Sequence, residues 1–106
     1  MYDAKIAKGV EAIVVALCFD YDRRRQVIEE HTASSRTDAE YKYYNFKIFD
    51  AAAEVIGERY VNVFINEIGR KIGYAKSKIN FMSEVTYKKY KQLIKENIAK
   101  KLHLID

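Results

Sequence analysis

Proline is absent from this 106-residue chain, and glycine appears four times, at Gly9, Gly57, Gly69 and Gly73. A sandwich or barrel joins many short strands through turns that draw on both residues, so their scarcity points to helices. Cysteine is represented by Cys18 alone, inside the apolar run 12–19. A single thiol cannot close an intramolecular disulfide, and in such a run it reads as a small buried hydrophobe. No signal-peptide pattern opens the chain, and the expected compartment is a reducing cytoplasm. The run spans eight residues, far short of the roughly 20 that a bilayer crossing needs. The expectation is a soluble protein with no membrane partner.

Hydrophobic residues make up 49% of the chain and are spread from end to end, enough for one core and too many for a disordered polymer. Residues 1–106 are therefore expected to form a single helical domain, with 1–56 as supporting helices and 57–106 as a basic part. The net charge of +4 is unevenly placed. Residues 1–75 hold 11 Lys and Arg against 12 Asp and Glu, whereas 76–106 hold 8 Lys against Glu84, Glu96 and Asp106. A basic terminal third on a neutral body suits a polyanionic partner, although a lysine-rich helix also serves plain solubility.

Ile6, Val10, Ile13, Val14, Leu17 and Tyr21 follow helical spacing, which predicts a helix from about residue 3 to residue 24 or beyond. Because its middle is apolar on nearly every face, it is expected to be the central, most enclosed helix. Arg23, Arg24 and Arg25 would close it as cations near the negative pole of the dipole. Residues 31–37 read as the longest loop. Thr37 is the expected cap of a second helix, with Glu40 completing a capping box. That helix carries Tyr41, Tyr44, Ile48, Ala52 and Val55 on one stripe and stops near Gly57. A third takes Val61, Phe64, Ile65, Ile68 and Ile72, closing at Gly69 or Gly73. A short helix over 75–81 follows, and Ser83 caps a last helix over 84–103. The fold class is all-α: a compact bundle of four to five helices with a C-terminal helix-turn-helix-like hairpin.

Catalytic chemistry finds little support. His31 and His103 are far apart in sequence, and Glu29, Glu30 and His31 near Asp20 and Asp22 match no metal-ligand spacing. Ser34 and Ser35 have no general base at helical spacing, and the glycines are not grouped to cradle a phosphate. No enzyme activity, metal, cofactor or small-molecule substrate is expected. Tyr41, Tyr43, Tyr44, Phe46 and Phe49 concentrate the aromatic content. Tyr41 and Tyr44 fall on the core stripe, while Tyr43 and Phe46 fall off it and suit a second packing partner or a dimer interface.

The informative constellation is segment 75–91. Ile79 and Met82 anchor a short helix, a polar cap follows, and the next helix begins with small and polar residues. Projected at about 100° per residue, Tyr87, Tyr90, Ile94, Ile98 and Ile105 share one sector, with Lys88, Lys91 and Lys95 on an adjacent flank. A core-facing side beside a cationic side is what a groove-inserted helix requires. The expected nucleic-acid-binding residues are Lys76, Lys78, Ser83, Thr86, Tyr87, Lys88, Lys91 and Lys95. The lysines would meet phosphates, and Thr86, Tyr87 and Lys88 would contact bases.

With Ser83-x-x-Thr86-Tyr87-x-x-x-Lys91 and the ending Asn97-Ile98-Ala99-Lys100-Lys101-Leu102, residues from about 58 to 104 resemble the C-terminal part of the ArpU/RinA-like regulators. Those are small phage- and prophage-encoded transcription regulators whose C-terminal half resembles the DNA-binding region 4 of sigma factors. The resemblance implies double-stranded DNA as partner and transcription regulation as role. A homodimer formed through 1–56 would suit two half-sites. A different class stays open beside it: a small inhibitor or immunity-type protein of a phage or mobile element, binding a macromolecule such as a nuclease complex through charge and tyrosines.

Overall fold

The computed structural model describes residues 6–105. Among the described residues five helices follow one another: α1 (Lys8–Phe19), α2 (Tyr21–Glu30), α3 (Ser35–Ile56), α4 (Val61–Gly69) and α5 (Glu84–Lys101). Single 3-10 turns at Glu58–Tyr60 and Tyr74–Lys76 lie in the connections on either side of α4, and no strand occurs among the described residues. The all-α bundle is the fold the composition led us to expect. None of these helices is long and apolar enough to cross a membrane.

The expected first helix is divided. Its proposed start at residue 3 lies outside the described residues, and at Asp20 the chain bends and α2 begins. The Arg24 guanidinium holds the bend: it donates to the Leu17 carbonyl at the end of α1 (2.6 Å), to the Asp20 carboxylate (3.3 Å) and to Asn45 Oδ1 of α3 (2.7 Å). Asn45 in turn donates to the Tyr21 carbonyl (3.1 Å). Arg23, Arg24 and Arg25 thus open α2 instead of closing α1. There they sit near the positive pole of a dipole, and Asp20 and Asp22 offset them through ion pairs.

α1 is also not the enclosed helix. It buries Val14 and Cys18, while Ile13 is 47% exposed. The enclosed helix is α4, which buries Val61, Phe64, Ile65, Glu67, Ile68 and Gly69. The molecule measures 44 × 30 × 20 Å, and its short dimension is about two helix diameters. Two layers enclose one short element and leave every longer helix wet on one side. Apolar residues all round α1 therefore cannot all find cover.

Helix ends differ from expectation in telling ways. α3 starts earlier, because Ser34 rather than Thr37 is its cap, accepting from the Thr37 N–H (3.3 Å). Gly57 ends α3 at φ 80°. Gly69 does not close α4 by its own conformation; a Cβ there would collide with the backbone of Cys18 and Phe19, where α1 crosses. The left-handed residue after α4 is Lys71 (φ 56°), with the Ile72 N–H returning to the Glu67 carbonyl (2.9 Å). His31 after α2 and His103 after α5 adopt the same conformation with the same pattern of returning N–H groups. The helix expected over 75–81 is absent: beyond the single turn Tyr74–Lys76 the chain runs irregularly to Ser83. A helix-turn-helix needs a turn of about 3–4 residues between its helices, and here α4 and α5 are separated by residues 70–83. Ser83 does cap α5, accepting from the Thr86 N–H (3.2 Å), and Lys100 and Lys101 suit the negative end of its dipole.

Candidate nucleic-acid interface

The connection 70–83 gets its shape from one buried carboxylate. Glu67, on the inner face of α4, is 1% exposed. It accepts from the Ser77 hydroxyl (2.5 Å), the Lys78 backbone N–H (2.8 Å) and the Tyr87 hydroxyl (2.7 Å). Ser77 also receives the Ile79 N–H (2.8 Å). Two backbone N–H groups that helix or sheet would otherwise satisfy, those of Lys78 and Ile79, are thereby paired along with two hydroxyls, and the connection is tied to α4 and α5 together. Tyr74 donates to the Met82 carbonyl (2.6 Å), and the Phe81 ring rests on Tyr60 with centroids 4.9 Å apart. These contacts hold an irregular segment in one conformation without a helix.

This arrangement redistributes the expected site residues. Tyr87 is fully buried, with its ring against Phe64 and Tyr74. Burial, reinforced by the Glu67 carboxylate, pushes its hydroxyl up to about 12. It cannot read a base; it anchors α5. Lys91 turns inward, donating to the Ile72 carbonyl (2.7 Å) with its ammonium 5.0 Å from the centre of the Tyr87 ring. Burial lowers its pKa, with Lys95 and Lys88 adding to the effect. Lys95 reaches across to Glu11 of α1 (3.1 Å) and is 17% exposed. Neither lysine is placed to meet a phosphate. The 100° projection missed this because it reports the flank of a helix and not which neighbour covers that flank.

The other expected residues stay at the surface or nearly so. Lys76 and Lys78 are exposed on the connection. Ser83 and Thr86 are occupied with each other at the α5 cap, Oγ to Oγ1 2.9 Å. Lys88 is exposed and paired with Glu84 (2.7 Å). Three further cations join them: Lys89 on α5, Lys71 after α4, and Arg70, which donates to Asn66 Oδ1 (3.0 Å) and lies over the Phe19 ring. Between residues 70 and 91 the chain carries seven Lys and Arg against one acid, Glu84. Val85 in the first turn of α5 is 78% exposed, and Lys88 and Lys89 follow it at the spacing that shares its face.

Glu67 and the pair Arg24–Asn45 were not singled out from sequence. For Glu67 a signal existed: it is the one charged residue of α4, three residues after Phe64 and on the apolar face of that helix. The Arg24–Asn45 pair gave none, since their contact depends on the bend at Asp20. Among the described residues no group of three His, Cys, Asp or Glu side chains is gathered to hold a metal ion. Comparison with protein-family models, curated proteins and solved structures finds no match to this chain.

Proposed function

We propose that this protein is a cytoplasmic double-stranded-DNA-binding regulator of the phage type that its C-terminal motif resembles, working by binding and not by catalysis. Val85, Lys88 and Lys89 on α5 face the groove, while Arg70, Lys71, Lys76 and Lys78 meet the phosphates beside it. The observation that carries the reading is the six exposed cations in 70–91, Arg70, Lys71, Lys76, Lys78, Lys88 and Lys89, against one carboxylate, Glu84, on a segment tied down through Glu67. A fixed cationic surface releases condensed counterions on meeting a duplex, and that release drives affinity. Val85, exposed among lysines, suits apolar contact with a thymine methyl. Tyr87, Lys91 and Lys95 support the fold in this reading and take no part in contact.

Anisotropy titration of duplex DNA against salt is the test. Each phosphate contact contributes about −0.9 to the slope of log K against log salt. Lys76→Ala with Lys78→Ala should flatten the slope by roughly two units and weaken all sequences alike. Lys95→Ala, whose partner is Glu11, should leave the slope unchanged. Val85→Ala should change the preference among sequences. Absence of duplex binding at about 50 mM salt, where nonspecific affinity is strong, defeats the reading. The same surface would then belong to an acidic protein partner, as in an inhibitor of a nuclease complex.

A further inference from the structure

Around Phe46, α3 presents a stripe whose residues match in spacing on its two sides. Phe46 is 68% exposed and Tyr43 is 45% exposed, the most open aromatics on this helix. Phe46 itself borders a shallow hollow between α2 and α3, lined also by Tyr21, Ile28 and Phe49 and rimmed by Arg25 and Lys42. No described residue fills it. Positions four before and four after Phe46 are Lys42 and Asp50; three before and three after are Tyr43 and Phe49; seven before and seven after are Ala39 and Ala53. All share one stripe with Phe46 at helical spacing, Phe49 and Ala53 being partly buried against the core.

We propose that α3 packs antiparallel against α3 of a second copy of this chain, about a two-fold axis beside Phe46. In that arrangement position 46−n of one copy faces position 46+n of the other. Lys42 then meets Asp50 twice, once on each side of the axis, and small Ala39 meets small Ala53 at both ends, allowing close approach. Each Phe46 ring enters the hollow of the other copy beside Ile28 and Phe49. A parallel pairing would set Lys42 against Lys42 and Asp50 against Asp50, which is repulsive. Nearest the axis, charge complementarity favours a second copy in this orientation; Asp38 and Glu54 also come opposite one another, farther along the helix and on its flanks. The side chains of Lys42 and Asp50 are 57% and 45% exposed, and their present partners leave room for a second one. Lys42 is held by Asp38 (2.9 Å), while Lys101 holds Asp50 (3.0 Å) and also Glu54 (2.6 Å). With 22 residues, α3 is about 33 Å long, which gives the pairing several turns of contact. Pairing of this kind does not require DNA.

Sedimentation of the full chain over a concentration series, without DNA, is the first measurement. A monomer–dimer equilibrium is expected. Phe46→Ser should raise the dissociation constant about tenfold or more, the mark of a central aromatic anchor. Because Phe46 is exposed, the helical circular dichroism of the diluted variant should match the parent. Orientation is tested by mixing Ala39→Cys protein with Ala53→Cys protein under mild oxidation. The mixture should form a disulfide-linked heterodimer, and neither variant alone should cross-link. A monomer at all concentrations up to about 100 µM, a dimer indifferent to Phe46→Ser, or cross-linking of Ala39→Cys with itself each overturns the proposal.

Discussion

At Glu67 a single carboxylate satisfies Ser77, Lys78 and Tyr87 at once, so its removal takes the acceptor from three donors and leaves Tyr87 only its longer bond to the Ile72 carbonyl (3.3 Å). Leaving buried donors unpaired is costlier than losing a bond at the surface. Glu67→Ala is expected to lower stability by about 3–5 kcal/mol, whereas Tyr87→Phe, which leaves the carboxylate two donors, should lower it by about 1 kcal/mol. Urea denaturation of both variants checks the ratio. Burial also makes stability depend on pH on the alkaline side, most strongly at two groups. Burial pushes the Cys18 thiol from 9.0 to about 12, against the pull of Arg24 and Lys95, and Tyr87 rises from 10.0 to about 12. A pKa raised by folding favours the native state below the unfolded value and loses that contribution as pH climbs through the folded one. The contribution of these two groups is thus intact up to about pH 9 and fades towards about pH 12. Denaturation at a series of pH values should show this decline, and Tyr87→Phe should make it shallower.

Among the elements, α4 holds the centre although it is the shortest helix. Phe64 is fully buried, Leu17 on α1 only partly. Phe64→Ala should therefore cost about 3–5 kcal/mol and Leu17→Ala clearly less, a comparison that chemical denaturation makes directly. The α1–α4 crossing depends on Gly69, since a Cβ there meets the backbone of Cys18 and Phe19, not a side chain able to swing away. Gly69→Ala should lower stability by about 1–3 kcal/mol, through a forced separation of the two helices. Helix ends offer the opposite sign. His31 holds a left-handed conformation (φ 54°) in which glycine is unstrained. Its replacement by glycine should raise stability by about 0.5–1 kcal/mol, seen as a higher denaturation midpoint.

For the whole molecule, what matters is how unlike charges are divided between holding the fold together and facing outward. Lys95–Glu11 joins α5 to α1, and Lys101 joins α5 to Asp50 and Glu54 of α3. Asn97 reinforces the second junction by donating to the Ala51 carbonyl and to Glu54, both at 3.0 Å. These basic residues of the terminal third are thus engaged internally, and the net charge overstates what is left for a partner. Lys95→Ala should consequently appear as a loss of stability, with duplex affinity per folded molecule unchanged. Lys89→Ala should do the reverse, weakening DNA binding with the melting temperature held. Thermal melts and titrations on the same two variants separate the two uses of charge.

The helical class, the stripes of α3, α4 and α5 and the Ser83 cap were legible in the chain because each depends on neighbours within about one or two turns. Ile48, Phe64, Ile65, Ile94 and Ile98 are buried where periodicity alone puts them. What sequence spacing does not contain is the identity of the neighbour on each face. The bend at Asp20 rests on a contact between Arg24 and Asn45, and the inward turn of Lys91 rests on the carbonyl of Ile72. The loss of the expected 75–81 helix has the same origin: Glu67, from another element, takes the Ser77 hydroxyl and the Lys78 N–H. Local pattern thus determined which segments coil and which face is apolar. Tertiary packing decided which polar groups are consumed inside, because a buried donor or acceptor must be paired by whatever the fold brings within reach.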